Sequence, residues 1–571
     1  MSDGGRQQQR DLLLAGSLVV GVTGHRNLRA ADIPTLHEQV RAFFLDLRSR
    51  YPSLPISVLS SLAEGSDQLV AQVALEMGLR VVAPLPVAPE LYRADFEHSA
   101  TRALFERQLA RVSPLLLPIA PGSDVAAVAQ RGPARDQQYA RAGVFISSHC
   151  HVLLALWDGR ESALTGGTAQ IVAFHLNGEV PGPVERRRAA PGLLELGGET
   201  LAYHIPVARQ DSTEPLRAEC RWLTFNQELI AHAALPHAFD QMFRRHCEFD
   251  VDWSRYGDSI GSHPDRVELD AEACPIHALF RVADWLATTY QRRVANVLLA
   301  TYLLAALMGF SFIVYSDVTN QDVMLYLFLL FFMIGIVVST LAARREWHRK
   351  YIDYRALAEG LRVQSFWRRA GLVDIATPSF AHDNFLQKQD VELGWIRNVM
   401  RGASLDGILH PATTGPVQVL GVIEEWIGTS ASPGQLAYYA RTAGRRTLLH
   451  ERAKLLGNVA LWLGIGISVV LVAFARLLDG RLQNGMVAAM GVLSVAVAVH
   501  EAYAYKKADK ELIKQYRFMH SIFSAAQHRL RGCTDLASQR QILRMLGEAA
   551  LAEHAEWTLM HRERPLEHSR F

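Results

Sequence analysis

Short glycine-bearing turns carry the residue types in this chain that could hold an anion. Three such turns contribute Gly21, Thr23, Gly24, His25 and Arg26; Ser61, Glu64, Gly65 and Asp67; and Gly166, Gly167, Thr168 and Gln170. Glycine allows backbone N–H groups to approach a phosphate closely, and a helix start adds positive potential there. The turns therefore predict a site for a phosphorylated ligand, although each turn alone also fits ordinary turn geometry.

Strands that alternate with helices must position these turns. The strand patterns SLVVGV, PISVL, LRVVAPLPV and HVLLALW alternate with helical patterns such as HEQVRAFFLDLRSRY and DQLVAQVALEMG. This alternation predicts a Rossmann-like α/β domain with a mostly parallel, doubly wound sheet. Ligands bind such sheets at the carboxyl ends of the strands. The three turns are therefore expected to converge at one edge, and YHIPVARQ is expected to add the last strand.

The end of the strand HVLLALW contributes two further candidates, Trp157 and Asp158. An aspartate after such a strand can accept a hydrogen bond from a ribose hydroxyl, or it can cap the turn, and both interpretations stay open. These two residues complete the predicted ligand-binding set.

Four apolar stretches in the second half of the chain are long enough to cross a bilayer. They cover residues 294–315, 323–343, 455–478 and 485–505, and a spanning helix needs about 20 apolar residues. The second pair repeats the order and spacing of the first, which predicts a duplicated transmembrane hairpin in an all-α membrane region. The alternative is a set of buried helices in a large soluble bundle.

Basic residues flank the free ends of both predicted hairpins. Arg292 and Arg293 precede the first pair, whereas its short link, SDVTNQD, carries only acidic charges. The link of the second pair is less clean, because it carries Arg476 and Arg481. Since Lys and Arg are enriched in cytoplasmic loops, both chain termini are expected in the cytoplasm. The predicted protein is a multi-pass protein of the inner (cytoplasmic) membrane.

The centres of the four apolar stretches contain no charged side chain. Ion-coupled and proton-coupled transporters use such side chains in mid-membrane. An apolar constriction can gate a passive pore without them. A passive pore or a simple anchor is therefore favoured over a coupled transporter.

Composition excludes several other classes of protein. The chain of 571 residues has a net charge of +2, which is too small for a nucleic-acid-binding surface. Its five cysteines include no CxxC pair, which predicts neither a zinc site nor a disulfide framework, but a reducing compartment. The polar start predicts no secretory signal peptide.

Five motifs follow one another in the first part of the chain: GVTGHR, SSLAEGSDQLVA, APLPVAPELYRADF, ARDQQYARAG, and ALWDG with GGTAQIV. In this order they resemble the SLOG branch of the LOG/DprA-like Rossmann proteins. The resemblance covers residues 15–210. It implies a head that binds a nucleotide or a nucleotide-derived ligand, with no further cofactor and no nucleic acid as partner.

The stretches YRALAEGLRVQSFW, LGWIRNVM and LGEAALAEHAEWTLMHRERP make the membrane half similar to SLATT domains. These two-span modules are commonly fused to SLOG heads in bacterial antiphage systems. The resemblance implies a sensor for a nucleotide-derived signal that is coupled to a pore-forming effector in the lipid bilayer. Four spans are too few to enclose a wide pore, so a homo-oligomer is expected. The expected parts are the head at 15–210, a linker or adaptor at 211–280, and two-span units at 281–403 and 404–571.

One residue bears on whether the head is an enzyme. LOG-type enzymes that cleave a base from a nucleotide use a glutamate just beyond their GG-T motif, whereas this chain has Gln170 there. A glutamine can bond a ribose but cannot stabilise an oxocarbenium-like state as a carboxylate does. The departure favours binding over catalysis. Because Glu64 and Asp67 could still supply a carboxylate, a membrane-tethered N-glycoside hydrolase remains an alternative, as does a structural membrane scaffold.

Overall fold

The computed structural model describes residues 14–162, 165–179, 200–210, 219–226, 228–261, 275–319, 321–373, 385–386, 391–410, 414–429, 433–474, 476–507 and 509–562. The chain forms two compact units. The first comprises Met1–Val282 and Gly360–Thr413, and the second comprises Ala283–Glu359 and Thr414–Phe571. Each unit is therefore built from two separate stretches of the chain.

Within the described residues, the first unit contains an eight-stranded mixed sheet. Its strands are β1 (Leu18–Gly24), β2 (Ile56–Leu59), β3 (Arg80–Leu85), β4 (Ser113–Leu116), β5 (Val152–Trp157), β6 (Ala202–Pro206), β7 (Arg221–Asn226) and β8 (Glu228–His232). The spatial order is β4-β3-β2-β1-β5-β6-β7-β8. Neighbours from β4 to β6 are parallel, and β7 and β8 are antiparallel additions. The prediction of a mostly parallel, Rossmann-like sheet is confirmed, and its strand order reverses between β1 and β5.

β7 and β8 lie in the stretch whose sequence predicted only a linker or adaptor. Of the two strands, only Trp222 and Leu223 are buried. The other side chains are partly or fully exposed and mix polar with apolar types. Because this edge of the sheet buries so little, its strands lack the apolar pattern by which a strand is recognised.

Helices cover both faces of the sheet. The helices, in chain order, are α1 (Ile33–Arg50), α2 (Ser66–Glu76), α3 (Pro89–Tyr92), α4 (Ser99–Leu109), α5 (Val125–Ala129), α6 (Pro133–His149), α7 (Thr168–Asn177), α8 (His237–Gly261), α9 (Pro275–Ile313), α10 (Asp322–Arg344), α11 (Trp347–Arg369), α12 (Gly394–Leu409), α13 (Pro416–Val422), α14 (Gln435–Phe474), α15 (Gly480–Lys507), α16 (Asp509–Arg531) and α17 (Leu536–Arg562). Phe43 of α1 stacks on Tyr203 with ring centroids 4.6 Å apart. The neighbouring Ala202 belongs to the core cluster that contains Leu176 of α7. Since successive strand residues face opposite sides, α1 and α7 lie on opposite faces.

α12 completes the core of the first unit. The carboxylate of Asp406 accepts hydrogen bonds from the backbone N–H groups of Leu14 and Ala15, at 3.0 and 3.1 Å. A Cβ at Gly402 would lie 2.5 Å from the carbonyl oxygen of Leu14, so glycine permits this close approach. Residues 360–413 thus fold with the head, although their sequence predicted a place in the membrane half. Their apolar side chains look the same whether a helix is buried in a head or in a membrane-associated platform.

In the described part of the chain, four helices are long and apolar enough to cross a membrane: Ile276–Val318, Asp322–Arg369, Gln435–Phe474 and Gly480–Tyr503. Their most apolar windows bury between 0% and 11% of their residues inside the protein. Apolar surface of this extent is unfavourable in water and suits a lipid environment. The four candidate spans lie where the sequence predicts them.

α9 and α15 pack against each other through small residues. A Cβ added at Gly309 would lie 2.6 Å from Val495, and one added at Gly491 would lie 3.2 Å from Ile313. Glycine at a crossing lets two helix backbones approach closely, as is typical of membrane helices. Residue numbers rise along α9 as they fall along α15 at these contacts, so the two helices are antiparallel.

Candidate ligand site at the strand ends

An ionic cluster lies at the carboxyl ends of β1 and β5, where the strand order reverses. His25 follows β1 and Asp158 follows β5, with His25 Nε2 3.0 Å from Asp158 Oδ1. Their side chains are only 11% and 15% exposed. Arg209, beyond the end of β6, donates from Nε to Asp158 Oδ2 at 2.9 Å. The structure therefore brings together two predicted site residues and adds an arginine.

Arg209 and the backbone of Arg160 are the parts of this cluster that sequence reasoning missed. Arg209 follows the predicted strand YHIPVARQ, so placing that strand parallel beside β5 would have identified it. The N–H of Arg160 donates to Asp158 Oδ1 at 3.1 Å. A backbone donor of this kind leaves no signal in the sequence.

His25 can serve Asp158 in two ways. Its Nε2 also lies 3.2 Å from the backbone nitrogen of Asp158. A ring nitrogen that carries a proton donates to the carboxylate, and one that lacks it accepts from the N–H. Burial lowers the pKa of His25, although the hydrogen bond and charge of Asp158 act in the opposite direction. The ring is therefore neutral at pH 7 and becomes cationic only in more acidic solution.

The Asp158 carboxylate stays ionised. Burial alone would raise its pKa, but hydrogen bonds from His25 and Arg160, together with the nearby charge of Arg209, bring the pKa below its usual value. A carboxylate offers about four acceptor positions, so these donors leave room for a ligand hydroxyl. Asp158 can thus both order the strand ends and accept a hydrogen bond from a bound molecule.

The turn after β2 packs closely against the turn after β1 and forms hydrogen bonds with it. Gly65 has a φ of +87°, and a Cβ there would lie 2.1 Å from the carbonyl oxygen of Arg26. Ser66 donates its backbone N–H and its hydroxyl to the carbonyl oxygen of His25, at 3.1 and 2.8 Å. A Cβ at Gly24 would in turn meet the side chain of Ser66 at 2.4 Å. Both glycines are therefore required by the approach of the two loops, whether or not a ligand binds.

A buried carboxyl group lies beneath this turn. Asp67, in the first turn of α2, is 5% exposed, and its Oδ2 accepts a hydrogen bond from the hydroxyl of Ser61 at 2.6 Å. Burial raises the pKa of Asp67 to about 6, against the opposing hydrogen bond of Ser61 and the charge of Arg26. Asp67 can therefore exchange a proton close to neutral pH.

Glu64 faces α4. Its Oε1 accepts a hydrogen bond from the Thr101 hydroxyl at 2.6 Å, and its Oε2 accepts one from the backbone N–H of Glu97 at 3.3 Å. Both oxygens thus have partners within the protein. The structure gives Glu64 the role of joining the β2–α2 turn to the start of α4.

The third turn is closed by the side chain of Gln170. Gln170 Oε1 accepts the backbone N–H of Gly166 at 3.0 Å. Gly166 has a φ of +73°, and a Cβ there would lie 2.8 Å from the backbone nitrogen of Ala140. Gly167 is the N-cap of α7, which places Thr168 at its first position. Gln170 therefore stabilises the turn that presents the positive end of α7.

Contacts through α6 link the three turns. The guanidinium of Arg26 lies 4.8 Å from the ring centroid of Tyr139. The next residue, Ala140, is the one that approaches Gly166. Because the Gly65 turn contacts Arg26, all three turns lie around the same part of α6.

Three predicted turn residues lie within a strand. Gly21, Thr23 and Gly24 belong to β1, because this strand pairs with β5 as far as Gly24. A Cβ at Gly21 would lie 2.7 Å from Ile146, so this glycine admits α6 against the sheet. The prediction that these three residues form a turn is wrong; of that set, His25 and Arg26 follow the strand. Trp157 is the last residue of β5, and its indole N–H donates to the carbonyl oxygen of Arg160 at 3.0 Å.

The described residues contain no group of three or more His, Cys, Asp or Glu side chains placed to hold a metal ion. The site consists of an ionised carboxylate, arginine charges, backbone donors and a helix start. This composition suits a ligand that carries both phosphate and hydroxyl groups. No protein-family model matches the chain, and no curated protein or solved structure shows significant similarity to it.

Proposed function

We propose that this protein is a membrane effector whose Rossmann-like head binds a nucleotide or a nucleotide-derived signal and thereby gates or assembles a transmembrane pore. The proposed setting is antiphage defence at the inner membrane of a bacterium, with the protein acting as a homo-oligomer. The observation that carries the proposal is the origin of α12. This helix comes from the chain between the two pairs of apolar helices, yet its Asp406 holds the residues that precede β1.

The path of the chain supports coupling between ligand and membrane. The chain leaves the first unit within α9, returns to it within α11, and leaves it again after α12. A rearrangement of the head that displaces α12 would therefore pull on the segments that connect α12 to the apolar helices before and after it in the chain. A ligand shifts such an equilibrium only by its difference in affinity for the two states, and a change from 1:99 to 99:1 needs about 5.5 kcal/mol.

The chemistry of the strand ends supports a nucleotide as the ligand. Asp158 is ionised and its side chain keeps 15% of its surface exposed, which suits a hydrogen bond from a ribose hydroxyl. Arg26 is exposed and lies beside the contact between α6 and the Gly166 turn, where a guanidinium and a helix start can share a phosphate.

The finer membrane arrangement that we propose is two transmembrane hairpins with their free ends in the cytoplasm. The antiparallel contact of α9 with α15 supports it, because the first helix of one hairpin and the second helix of the other must run in opposite directions. The hydroxyl of Tyr302 donates to the carbonyl oxygen of Ala502 at 3.0 Å. This contact aligns Arg293, where the apolar part of α9 begins, with Lys506 at the end of α15.

Purified full-length protein in liposomes tests the function. Potassium efflux is recorded while adenine and guanine mono- and dinucleotides are added, and binding is measured in parallel by isothermal calorimetry. We expect a nucleotide that binds to change the efflux. Asp158→Asn should weaken its binding by about tenfold or more, as for a lost hydrogen bond to a charged group of about 1.5–3 kcal/mol. The matched control is Asp46→Asn, at an aspartate that is 46% exposed, and it should leave binding unchanged. A nucleotide that binds but leaves the efflux unchanged would contradict gating.

A membrane-tethered N-glycoside hydrolase is a second candidate, and Asp67 favours it. A carboxyl group with a pKa of about 6 can act as a general acid near neutral pH. Its slight exposure and its bond to Ser61 argue instead for a role in the turn. Release of free base from a nucleotide by the full-length protein, lost in Asp67→Asn, would support the hydrolase; intact nucleotide after prolonged incubation would exclude it.

A further inference from the structure

We propose that Arg209 and the two neighbouring hydroxyls of a ribonucleotide compete for Asp158, so that a bound ribonucleotide opens a clasp at the end of β5. The clasp is formed by residues 27–29, which follow β1, and residues 208–210, which follow β6. The inference rests on the nucleotide site in the proposed function, but it does not depend on the membrane helices. It specifies the class of ligand and the movement that binding causes in the head.

The clasp joins the segments that continue β1 and β6. Two backbone hydrogen bonds, each 3.2 Å long, hold these segments together: Arg29 N–H to the carbonyl oxygen of Ala208, and Gln210 N–H to that of Asn27. Between these bonds, Leu28 and Arg209 form an antiparallel bridge, and Leu28 is only 9% exposed. Because β5 lies between β1 and β6 in the sheet, the clasp passes the carboxyl end of β5, where Asp158 lies.

Arg209 connects the clasp to Asp158. Its Nε donates a hydrogen bond to Asp158 Oδ2 at 2.9 Å. The other carboxylate oxygen, Oδ1, is covered by His25 Nε2 at 3.0 Å and by the backbone N–H of Arg160 at 3.1 Å. Since a carboxylate oxygen accepts about two hydrogen bonds, the acceptor position left for a ligand is on Oδ2, beside Arg209.

The two neighbouring hydroxyls of a ribose need two acceptor positions on the carboxylate. One hydroxyl fits the position that is left on Oδ2 of Asp158, whereas the second needs the position that Arg209 occupies. Arg209 can leave, because its side chain is 44% exposed and an ion pair with an exposed partner contributes little to stability. The clasp then keeps its two backbone hydrogen bonds but loses its connection to the end of β5. A 2′-deoxyribonucleotide offers a single hydroxyl on this part of the sugar and should leave the clasp closed.

Nucleotide binding and amide exchange of the full-length protein in detergent test this inference. The four ribonucleoside 5′-monophosphates and their 2′-deoxy counterparts are titrated by isothermal calorimetry, and hydrogen–deuterium exchange is followed at the amides of Arg29 and Gln210. We expect a ribonucleotide that binds to remove the protection of both amides, whereas its 2′-deoxy counterpart leaves them protected. Arg209→Gln should tighten ribonucleotide binding about two- to five-fold, which is the usual contribution of a partly exposed ion pair. The same variant should leave the affinity for the 2′-deoxy counterpart unchanged.

Arg29→Gln is the matched control, because Arg29 lies in the same clasp but its side chain donates to Asp32, at 2.8 and 2.9 Å. This variant should leave ribonucleotide affinity unchanged. Weaker ribonucleotide binding in Arg209→Gln would overturn the competition, since it would give Arg209 a favourable contact with the ligand. Full protection of both amides with a ribonucleotide bound would overturn the opening of the clasp. Both outcomes leave the proposed nucleotide site intact, whereas a protein that binds none of these nucleotides would overturn that site and this inference together.

Discussion

Replacement of Asp406 by alanine should loosen the start of the head. Its two carboxylate oxygens accept the N–H groups of Leu14 and Ala15, which are 0% and 1% exposed. A buried donor left without a partner costs about 1–3 kcal/mol, so the change should cost about 2–6 kcal/mol. This is a large part of the 5–15 kcal/mol that stabilises a typical domain. Asp406→Asn should cost less, because it keeps one acceptor and removes an ionised group whose pKa burial raises to about 6.

Hydrogen–deuterium exchange of the full-length protein measures this effect at the two amides themselves. A loss of about 2 kcal/mol corresponds to exchange about 30-fold faster at Leu14 and Ala15. Asp46→Ala, at an exposed aspartate, serves as the control and should leave both amides protected. Unchanged protection of both amides in Asp406→Ala would refute the argument that α12 holds the start of the head.

Three further changes test the loops, the membrane helices and the pH response. An alanine at a positive φ costs about 1–2 kcal/mol. Gly65→Ala should lower the free energy of unfolding of the head by more than this amount, because its Cβ would also lie 2.1 Å from a carbonyl oxygen. Gly78→Ala, with a φ of +70° and nothing within 4 Å, should lower it by about 1–2 kcal/mol, as measured by urea denaturation. Gly309→Leu should separate α9 from α15 and lower the thermal stability of the detergent-solubilised protein, whereas Gly335→Leu, with nothing within 4 Å, should not. Burial lowers the pKa of His246 to about 4, so the unfolded chain binds more protons below pH 6.5 and the head should lose about 2 kcal/mol between pH 7 and pH 5 through this residue. In His246→Gln the urea midpoint should fall less between pH 7 and pH 5 than in the wild type. The same fall in both proteins would contradict the lowered pKa of His246.

The fold was predictable where local pattern and burial agree. The apolar runs of β1, β2, β3 and β5 are the signature of parallel strands that are covered on both faces, and the structure confirms them. The strands β7 and β8 were missed because they lie at a weakly buried edge. The four apolar helices were predictable from length and hydropathy alone, since lipid demands about 20 apolar residues in a row.

The position of α12 was not predictable. Its sequence, GWIRNVMRGASLDGIL, contains the buried Asp406, whose partners Leu14 and Ala15 lie hundreds of residues away. A helical period shows that one face is apolar, but it does not show which surface covers that face. The packing of α12 against the start of the head depends on shape and on hydrogen bonds, and neither leaves a periodic pattern in the sequence.

The candidate site was predictable in part for a similar reason. His25 and Asp158 follow strands, so the topology brings them together once the sheet order is known. Arg209 required the placement of β6, and the donor from Arg160 is a backbone group. In the sequence, the glycines fit either contact with a ligand or ordinary turn geometry. In the structure, close packing requires Gly65 and Gly166 even without a ligand.

The most direct test of the account is potassium efflux from liposomes that contain the full-length protein, recorded together with nucleotide binding for the wild type and Asp158→Asn. The account predicts that a nucleotide which binds the head changes the efflux, and that Asp158→Asn weakens binding and shifts the efflux response to higher nucleotide concentration by the same factor. Binding without any change of efflux would contradict gating. An efflux response that is unaltered in Asp158→Asn would contradict the placement of the ligand at the carboxyl ends of β1 and β5.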